Sequence, residues 1–396
     1  MDPHPSGVRI LVACSLSGAV SVGVPQFRHS GAIGFGQAPG MNSTYLFHLL
    51  LSALALPFLW ALRRPRRAGE LLLFTFALGS LLLLLTRLFG WGHSGFYQMR
   101  LLAGAIFLEL PLCLLIAAGL QAGRVRRALA ALALVLAATG GWAFYVEPSW
   151  LEVERFTLTS TKLEKNLRIV VVADLQTDVF GDYEKAALLR VMAEKGDLIL
   201  FTGDYVQEND PARHLELRRQ IRSFLHEIHL QAPLGVYAVR GDVEPDDWAE
   251  LFAGLPVRSF EQTTRIELPE LTLTALRSRD SRNHLARIPP SEKFHLIFGH
   301  APDFALDNPP ADLLVAGHTH GGQVRLPLVG ALLTLSDVPR SWAAGLTELA
   351  AGRYLVVSRG IGLERGEAPR LRFLCRPQIV TIDMVAAPPA TKSSDR

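Results

Sequence analysis

The sequence predicts a two-part fold: an N-terminal region of four transmembrane helices followed by a layered α/β domain. Three observations lead there. Nearly half of the 396 residues are hydrophobic and the mean hydropathy is +0.23, which points to a part that is not soluble. Apolar stretches of about 20 residues, the length a helix needs to cross a bilayer, crowd the chain before Glu147. Beyond it, short apolar runs alternate with helical stretches, the pattern of strands layered with helices. Charge divides at the same place: eleven Lys and Arg stand against four Asp and Glu up to Glu147, and 29 against 33 from Pro148 onward. The net charge of +3 averages a basic membrane part and a mildly acidic soluble part, so charge gives no support to a nucleic-acid partner. Cys14, Cys113 and Cys375 contain no short-spaced pair, and neither a disulfide framework nor a zinc knuckle is expected.

Residues 1–40 form an N-terminal extension of open role. Ile10 to Val24 is apolar but short and rich in Ser and Gly; it reads as a signal-like segment, as a weak extra span, or as an extension preceding a true start at Met41. The transmembrane region, 41–147, holds four candidate spans at Thr44–Leu62, Leu71–Trp91, Leu101–Ala122 and Ala128–Tyr145. Arg63, Arg64, Arg66 and Arg67 lie between the first pair, and Arg124, Arg126 and Arg127 between the second. Cytoplasmic loops carry the excess of Lys and Arg, so both clusters face the cytoplasm and the domain after Tyr145 lies outside, as in a bacterial inner-membrane protein. Trp91, Trp142, Tyr145 and Trp150 fall at the outer interface, where amphipathic rings settle. Glu109, two residues before Pro111, is an acid at membrane depth; it is either functional or a hydrogen-bonded carboxyl packed on a neighbouring helix.

The soluble domain is expected over 148–385. Leu151–Thr157 alternates like a half-buried strand and Arg168–Ala173 is a continuous apolar strand. Helices are expected at Tyr183–Glu194 and Leu215–His229, and strands at Leu198–Phe201 and Val236–Val239. Further ordered segments follow at Trp248–Ala253, Leu271–Ala275, Leu296–Phe298, Leu313–Val315 and Tyr354–Ser358. Residues 386–396, with Pro-Pro-Ala-Thr-Lys-Ser-Ser, read as a disordered tail.

The chemistry is carried by strand ends. Val315-Ala-Gly-His318-Thr-His320-Gly-Gly-Gln323 delivers two imidazoles from an apolar strand into a glycine-rich loop. Asp174, Asp204 and Asp242 close three earlier strands, and His300 follows Leu-Ile-Phe-Gly. Carboxylates and imidazoles recurring at strand C-termini describe a metal site in the crevice outside a sheet. In their order these blocks, Asp174-Leu-Gln176, Gly203-Asp204, Gly241-Asp242-Val243-Glu244, Gly299-His300 and Gly317-His318-Thr-His320, resemble those of the calcineurin-like metallophosphoesterase superfamily: Asp-x-His, Gly-Asp, Gly-Asn-His-Asp/Glu, Gly-His and Gly-His-x-His. With Ser358-Arg-Gly-Ile-Gly362 they look most like the branch of bacterial membrane-associated and exported phosphoesterases. The resemblance spans about Leu151 to Met384 and implies a β-sandwich flanked by helices.

It also implies a pair of divalent metal ions, Mn, Fe, Zn or Mg with Mn favoured, and a metal-activated hydroxide that attacks phosphorus in line. Asp174, Gln176, Asp204 and His320 would hold the first ion; Asp242, His300 and His318 the second, with Asp204 bridging. Asp204, Asp242 and His300 are the residues expected to matter most for turnover. Three positions depart from the family pattern. Gln176 replaces an imidazole by an amide, a weaker oxygen donor that suits a harder ion. Asp242 replaces asparagine. Val243 replaces the histidine that assists the leaving group, a loss typically worth about 10²- to 10⁴-fold and least for good leaving groups.

The implied function is hydrolysis of a phosphate ester or pyrophosphate on a small molecule or lipid, with the bilayer as the N-terminal region's partner and no protein partner implied. The alternatives are a UDP-2,3-diacylglucosamine pyrophosphatase-like lipid A enzyme and a catalytically weak metal-binding sensor. Among other polar residues, His226 and His229 read as a solvated helix face, and His214, His284 and His295 as surface residues. Asp178 reads as a turn former or a support for the site. Arg240 and Arg359 read as substrate-phosphate partners or structural ion pairs, and Asp246 and Asp247 as a helix start.

Overall fold

A computed structural model describes residues 41–61, 68–282 and 287–387. Residues 1–40, the arginines at 63, 64, 66 and 67, His284 and residues 388–396 lie outside the described residues.

The N-terminal region is helical. Met41–Ala61 and Ala68–Phe89 come first. Two described helices, Gly95–Gly119 and Gly123–Ser149, are long and apolar enough to cross a membrane; the apolar stretches Ser43–Pro57 and Ala77–Phe89 are shorter. Both long helices begin before the expected spans; the first stops at Gly119, short of Ala122, and the second runs past Tyr145 to Ser149. Ser94 caps the first by accepting the N–H of Tyr97, and the second runs helically through Arg124, Arg126 and Arg127. Leu108, Leu112, Leu115, Leu134 and Val135 are exposed on these helices, as lipid-facing side chains would be. Glu109 accepts a 2.5 Å hydrogen bond from the Ser52 hydroxyl and lies 3.3 Å from His48 Nδ1, so it is a carboxyl bonded to a neighbouring helix.

Among the described residues, the domain that follows holds fourteen strands. In chain order they are β1 (Glu152–Ser160), β2 (Leu167–Val172), β3 (Leu198–Phe201), β4 (Val236–Val239), β5 (Val257–Phe260), β6 (Thr264–Glu267) and β7 (Thr272–Ala275). The rest are β8 (His295–Phe298), β9 (Leu313–Ala316), β10 (Arg325–Leu326), β11 (Gly330–Ala331), β12 (Gly345–Ala350), β13 (Arg353–Val357) and β14 (Gln378–Ala386). One six-stranded sheet has the order β1-β14-β2-β3-β4-β5, the other β12-β13-β9-β8-β7-β6, and β10 and β11 form a separate hairpin. β2 to β5 run parallel, as do β7, β8, β9 and β13, so their C-terminal ends emerge together.

The apolar run of β2 is explained by burial on both faces. Ile169 and Val171 face the second sheet, in a core with Leu200, Leu273, Phe298 and Val315. Val170 and Val172 face the helices Asp182–Ala193 and Pro211–Glu227 through Leu188, Val191, Leu217 and Ile221. β14 pairs parallel with β1 and antiparallel with β2, so the chain's last strand fills the space between its first two. Trp248–Phe252 is a 3₁₀ turn. His295, expected at the surface, is fully buried on β8: Nε2 meets the Thr274 hydroxyl at 2.9 Å and Nδ1 lies 3.2 Å from the Pro310 carbonyl. An imidazole with both nitrogens bonded is a tolerable core residue, which a reading of polarity alone misses.

Domain and helices meet along residues 359–377. The Arg372 N–H donates to the Ala143 carbonyl at 2.9 Å. Glu147 accepts from the Trp142 indole at 2.8 Å and from the Cys375 N–H. Leu371 packs with Ala103 and Ala143.

Candidate metal centre

The parallel strands deliver the site. β2 leads to Asp174, β3 to Asp204, β4 to Asp242, β8 to His300, and β9 to His318 and His320. Two triads result. Asp204, His300 and His318 can each offer one ligand atom, all within 4.8 Å of one another; so can Asp174, Asp204 and His320. Asp204 is common to both. Asp242 Oδ2 lies 3.3 Å from His300 Nε2 and 3.3 Å from His318 Nδ1, beside the first triad.

The backbone here is held away from its relaxed conformations. Asp174, Gln176, Asp204, His318 and His320 all have φ between 33° and 69°, the left-handed region that costs L-residues of order 1–3 kcal/mol each. Neighbouring loops hold them there: Asp174 N–H bonds to Gly203 O, Gln176 N–H to Asp204 O, and Gly362 N–H to Asp174 O. Gly203 has φ 98°, and a side chain on it would run into Gly241 and His300. The Gly-Asp blocks therefore need glycine for close approach as well as for turning.

Hydrogen bonds set the protonation of the ligand atoms. His300 Nδ1 lies 2.9 Å from the Thr202 carbonyl, so it carries a proton, and the ring turns Nε2 toward Asp204 and Asp242. His300 Nε2, both ring nitrogens of His320 and Gln176 Oε1 are buried without a hydrogen-bond partner. Buried polar atoms without a partner cost free energy unless something else satisfies them, and imidazole nitrogens and an amide oxygen suit a divalent cation. Burial, reinforced by Arg282, lowers His318 to about 4. Burial, reinforced by Arg372, holds His320 well below the usual histidine range. Both rings are thus neutral, as ligation requires. Burial lowers His300 too, but the Asp204 and Asp242 carboxylates outweigh it and raise it. The converse holds for those carboxylates: burial opposes their ionisation, and His300 more than offsets it. Burial pushes Asp174 up to about 7.

Gln176 is oriented by its amide nitrogen, which donates to Gln207 Oε1 at 3.0 Å and Glu364 Oε2 at 3.2 Å; its oxygen is left over for the site. Glu244 sits beneath Asp204 and accepts N–H groups from Asp204 at 3.2 Å, Gly241 at 2.7 Å and Tyr205. Burial pushes its carboxyl up to about 8.

Three residues here escaped the sequence reading. Arg282 pairs with Asp242 and lies against the His318 ring, with Nη2 2.8 Å from Nε2. Glu364 holds Gln176 and Gln207, and burial pushes it up to about 7. Arg372, fully buried, donates to carbonyls of the loops carrying His320 and Gly360. No local motif marks any of them; only Glu364, just past Ser358-Arg-Gly-Ile-Gly362, stands next to one of the strand-end blocks.

Other candidates lie elsewhere. Arg240 pairs with Asp246 at 2.7 Å, and Arg359 with Glu152 at 2.9 Å, so both make structural ion pairs. Asp178 pairs with Arg365 and Arg370. Asp247 pairs with Arg218. His226 and His229 border a small surface pocket with Leu255 and Pro256.

Residues 167–322 match the calcineurin-like phosphoesterase family. The chain is 30% identical over 279 residues to phosphodiesterase YaeI of Escherichia coli (strain K12), which covers 66% of this chain and 98% of that protein. It is 28% identical over 278 residues to the uncharacterized metallophosphoesterase YkuE of Bacillus subtilis (strain 168), covering 65% and 93%. It is 24% identical over 327 residues to the UDP-2,3-diacylglucosamine pyrophosphatase LpxG of Chlamydia trachomatis, covering 63% and 95%. With the strand-end blocks in family order, the chain belongs to the calcineurin-like metallophosphoesterase superfamily.

Proposed function

We propose that this protein is a membrane-anchored, divalent-metal-dependent phosphoesterase working at the outer face of a bacterial inner membrane. The observation that carries the reading is the pair of triads sharing Asp204, among buried side-chain nitrogens and oxygens that have no hydrogen-bond partner. Asp174, Gln176, Asp204 and His320 would hold one cation, and Asp204, Asp242, His300 and His318 the other. When bound, the cations supply Lewis acidity that activates water and neutralises charge on the phosphoryl oxygens.

The chain's own groups do the rest. The Thr202 carbonyl fixes the His300 tautomer, and Glu244 clamps the backbone that presents Asp204. Water oxygen bonds to phosphorus as the bond from phosphorus to the leaving oxygen breaks; that oxygen keeps the electron pair and takes up a proton from water. Val243 provides no proton donor, so leaving groups that are weak bases, as in aryl diesters and pyrophosphates, suit the site best.

The membrane part of the reading is four spans over 41–147, with the domain of 148–385 outside. The arginines of 124–127 and the interfacial Trp91, Trp142, Tyr145 and Trp150 support it. The second reading, cleavage of UDP-2,3-diacylglucosamine, is favoured by the similarity to LpxG. That reaction needs a cytoplasmic site, so a reporter fused after Val385 that reads extracytoplasmic excludes it.

The test of activity is Mn-dependent hydrolysis of an aryl phosphodiester by the full chain in detergent, with Asp204→Asn and His318→Ala as controls. Turnover lost in both variants supports the proposal. A folded, metal-loaded protein without turnover overturns it in favour of a metal-binding sensor.

A further inference from the structure

A cavity of about 270 Å³ lies where the membrane helix Gly95–Gly119 meets the metal-site loops. One wall is Phe96, Met99, Leu102 and Ile106, successive inward positions on the first three turns of that helix; the imidazoles of His318 and His320 belong to the same cavity. Leu333, Leu335 and Leu371 complete it from the domain side. A small water-soluble phosphoester has no use for a hydrocarbon wall reaching away from the reacting centre. A hydrocarbon tail attached to the phosphate does.

Two further observations bear on the cavity, one on its surroundings and one on its rigidity. The β10–β11 hairpin carries an apolar tip, with Leu326, Leu328 and Val329 exposed and Leu328 fully so, and its second strand leads directly into Leu332, Leu333 and Leu335 on the cavity wall. Exposed apolar side chains clustered on a loop tip are unusual on a water-facing domain and usual where a loop dips into a bilayer. The wall is also fastened in place. Glu367 accepts hydrogen bonds from the Ser94 N–H at 3.0 Å and from the Ser94 hydroxyl, and Arg100 reaches the Gly366 carbonyl at 3.3 Å, so the helix start is tied to the loop bordering the site.

We infer that the substrate is a membrane lipid bearing a phosphodiester or pyrophosphate, drawn from the leaflet next to the domain, with its hydrocarbon chain against Phe96, Met99, Leu102 and Ile106 and its phosphate at the metal centre. This rests on the phosphoesterase reading above. Helix Gly95–Gly119 is then part of the substrate site as well as an anchor.

The test uses the full chain in nanodiscs with Mn and a series of alkyl p-nitrophenyl phosphodiesters, from methyl to dodecyl, that share one leaving group. The wild type should show a KM that falls with chain length, and Met99→Trp and Leu102→Trp, which fill the cavity, should flatten that dependence. Displacing even two methylenes from an apolar wall is worth about 10-fold in KM. A chain-length dependence unchanged in both variants would mean that the bilayer alone concentrates the longer esters, and would overturn the inference. Hydrolysis of all esters with equal KM overturns it too while leaving the phosphoesterase reading intact. No turnover of any ester removes both.

A measurement independent of turnover and of variant folding is photolabelling of the wild type with a dodecyl phosphonate carrying a diazirine at its chain end. Labelled peptides within residues 96–107 support the site, and labelling confined to other segments refutes it.

Discussion

Replacing Arg372 by alanine should unseat the loop that joins the candidate metal centre to the long apolar helices. Its guanidinium is fully buried and makes short bonds to three carbonyls: Gly362 at 2.6 Å, Arg359 at 2.7 Å and Cys375 at 3.0 Å, with a longer one to His320 at 3.4 Å. Hydrogen bonds to a charged group contribute about 1.5–3 kcal/mol each, so the three short ones sum to roughly 5–9 kcal/mol gross. Desolvation of the guanidinium offsets part of this, and the variant is spared that cost. What remains is the cost of carbonyls left without donors, about 1–3 kcal/mol for each, and the lower part of that range for the three gives about 3–5 kcal/mol net. For a domain of this size each kcal/mol lowers the melting midpoint by about 2–4 °C, giving a fall of about 6–20 °C. The assay is thermal unfolding of the full chain in detergent, followed by circular dichroism. Arg372→Lys should recover little, since one ammonium cannot span carbonyls that a planar fork reaches together. A midpoint within 2 °C of wild type in Arg372→Ala would refute the reasoning, because it would mean that water replaces the guanidinium without loss.

Other perturbations have equally definite expectations. Gln176→His should keep the first cation but shift preference toward Zn over Mn, read from competitive metal binding; an unchanged preference would mean that the Gln176 oxygen is not a ligand. Arg282→Ala removes the cation that pairs with Asp242, and a partly exposed pair of this sort contributes about 1 kcal/mol, so Mn affinity should rise about 5-fold by calorimetry. A weaker affinity would instead make Arg282 the residue that orients Asp242. Burial raises the Glu367 carboxyl, but the Ser94 hydroxyl and N–H and the His93 ring outweigh it and lower it overall. Its contribution is therefore fully present above the ordinary Glu value of about 4.3 and is lost as pH falls through the depressed value in the folded protein. Glu367→Gln should lower the melting midpoint at pH 6 and make less difference at pH 3. An equal effect at both would show that its charge does not matter.

The candidate ligands were legible in the sequence because each is local: Asp204, Asp242, His300 and His318 each follow an apolar strand and a glycine, and Asp174 follows an apolar strand directly. That pattern names Asp204 or His318 without any knowledge of what lies opposite. Long-range features were not legible. β14 reaches its place between β1 and β2 only through pairings more than 200 residues apart, which no window on the sequence registers. Arg282, Glu364 and Arg372 come to the centre from segments whose composition is that of ordinary polar loops. His295 shows the opposite limit: polarity suggested the surface, while two hydrogen bonds allow it to be buried.

The segment 359–377 ties the long apolar helices to the candidate metal centre, so that under the proposed function the two work as one device. Gly360 and Gly362 pack against Asp174, and Ile361 N–H bonds to Ala173 O. A few residues on, Arg372 binds the carbonyl of His320 through its side chain and that of Ala143 through its N–H. Cys375 N–H and the Trp142 indole then share the Glu147 carboxylate. A displacement of helix Gly123–Ser149 by a fraction of an ångström is therefore passed through two or three bonds to the loops bearing a ligand of each triad. A tether that served only to hold the domain near a membrane would need none of these contacts, since any flexible linker confines a domain to the surface. Rigid fixing, with an apolar cavity left between the two parts, is what reaction on a molecule still embedded in the bilayer requires: the distance from lipid chain to phosphate is set by chemistry, and the protein must match it.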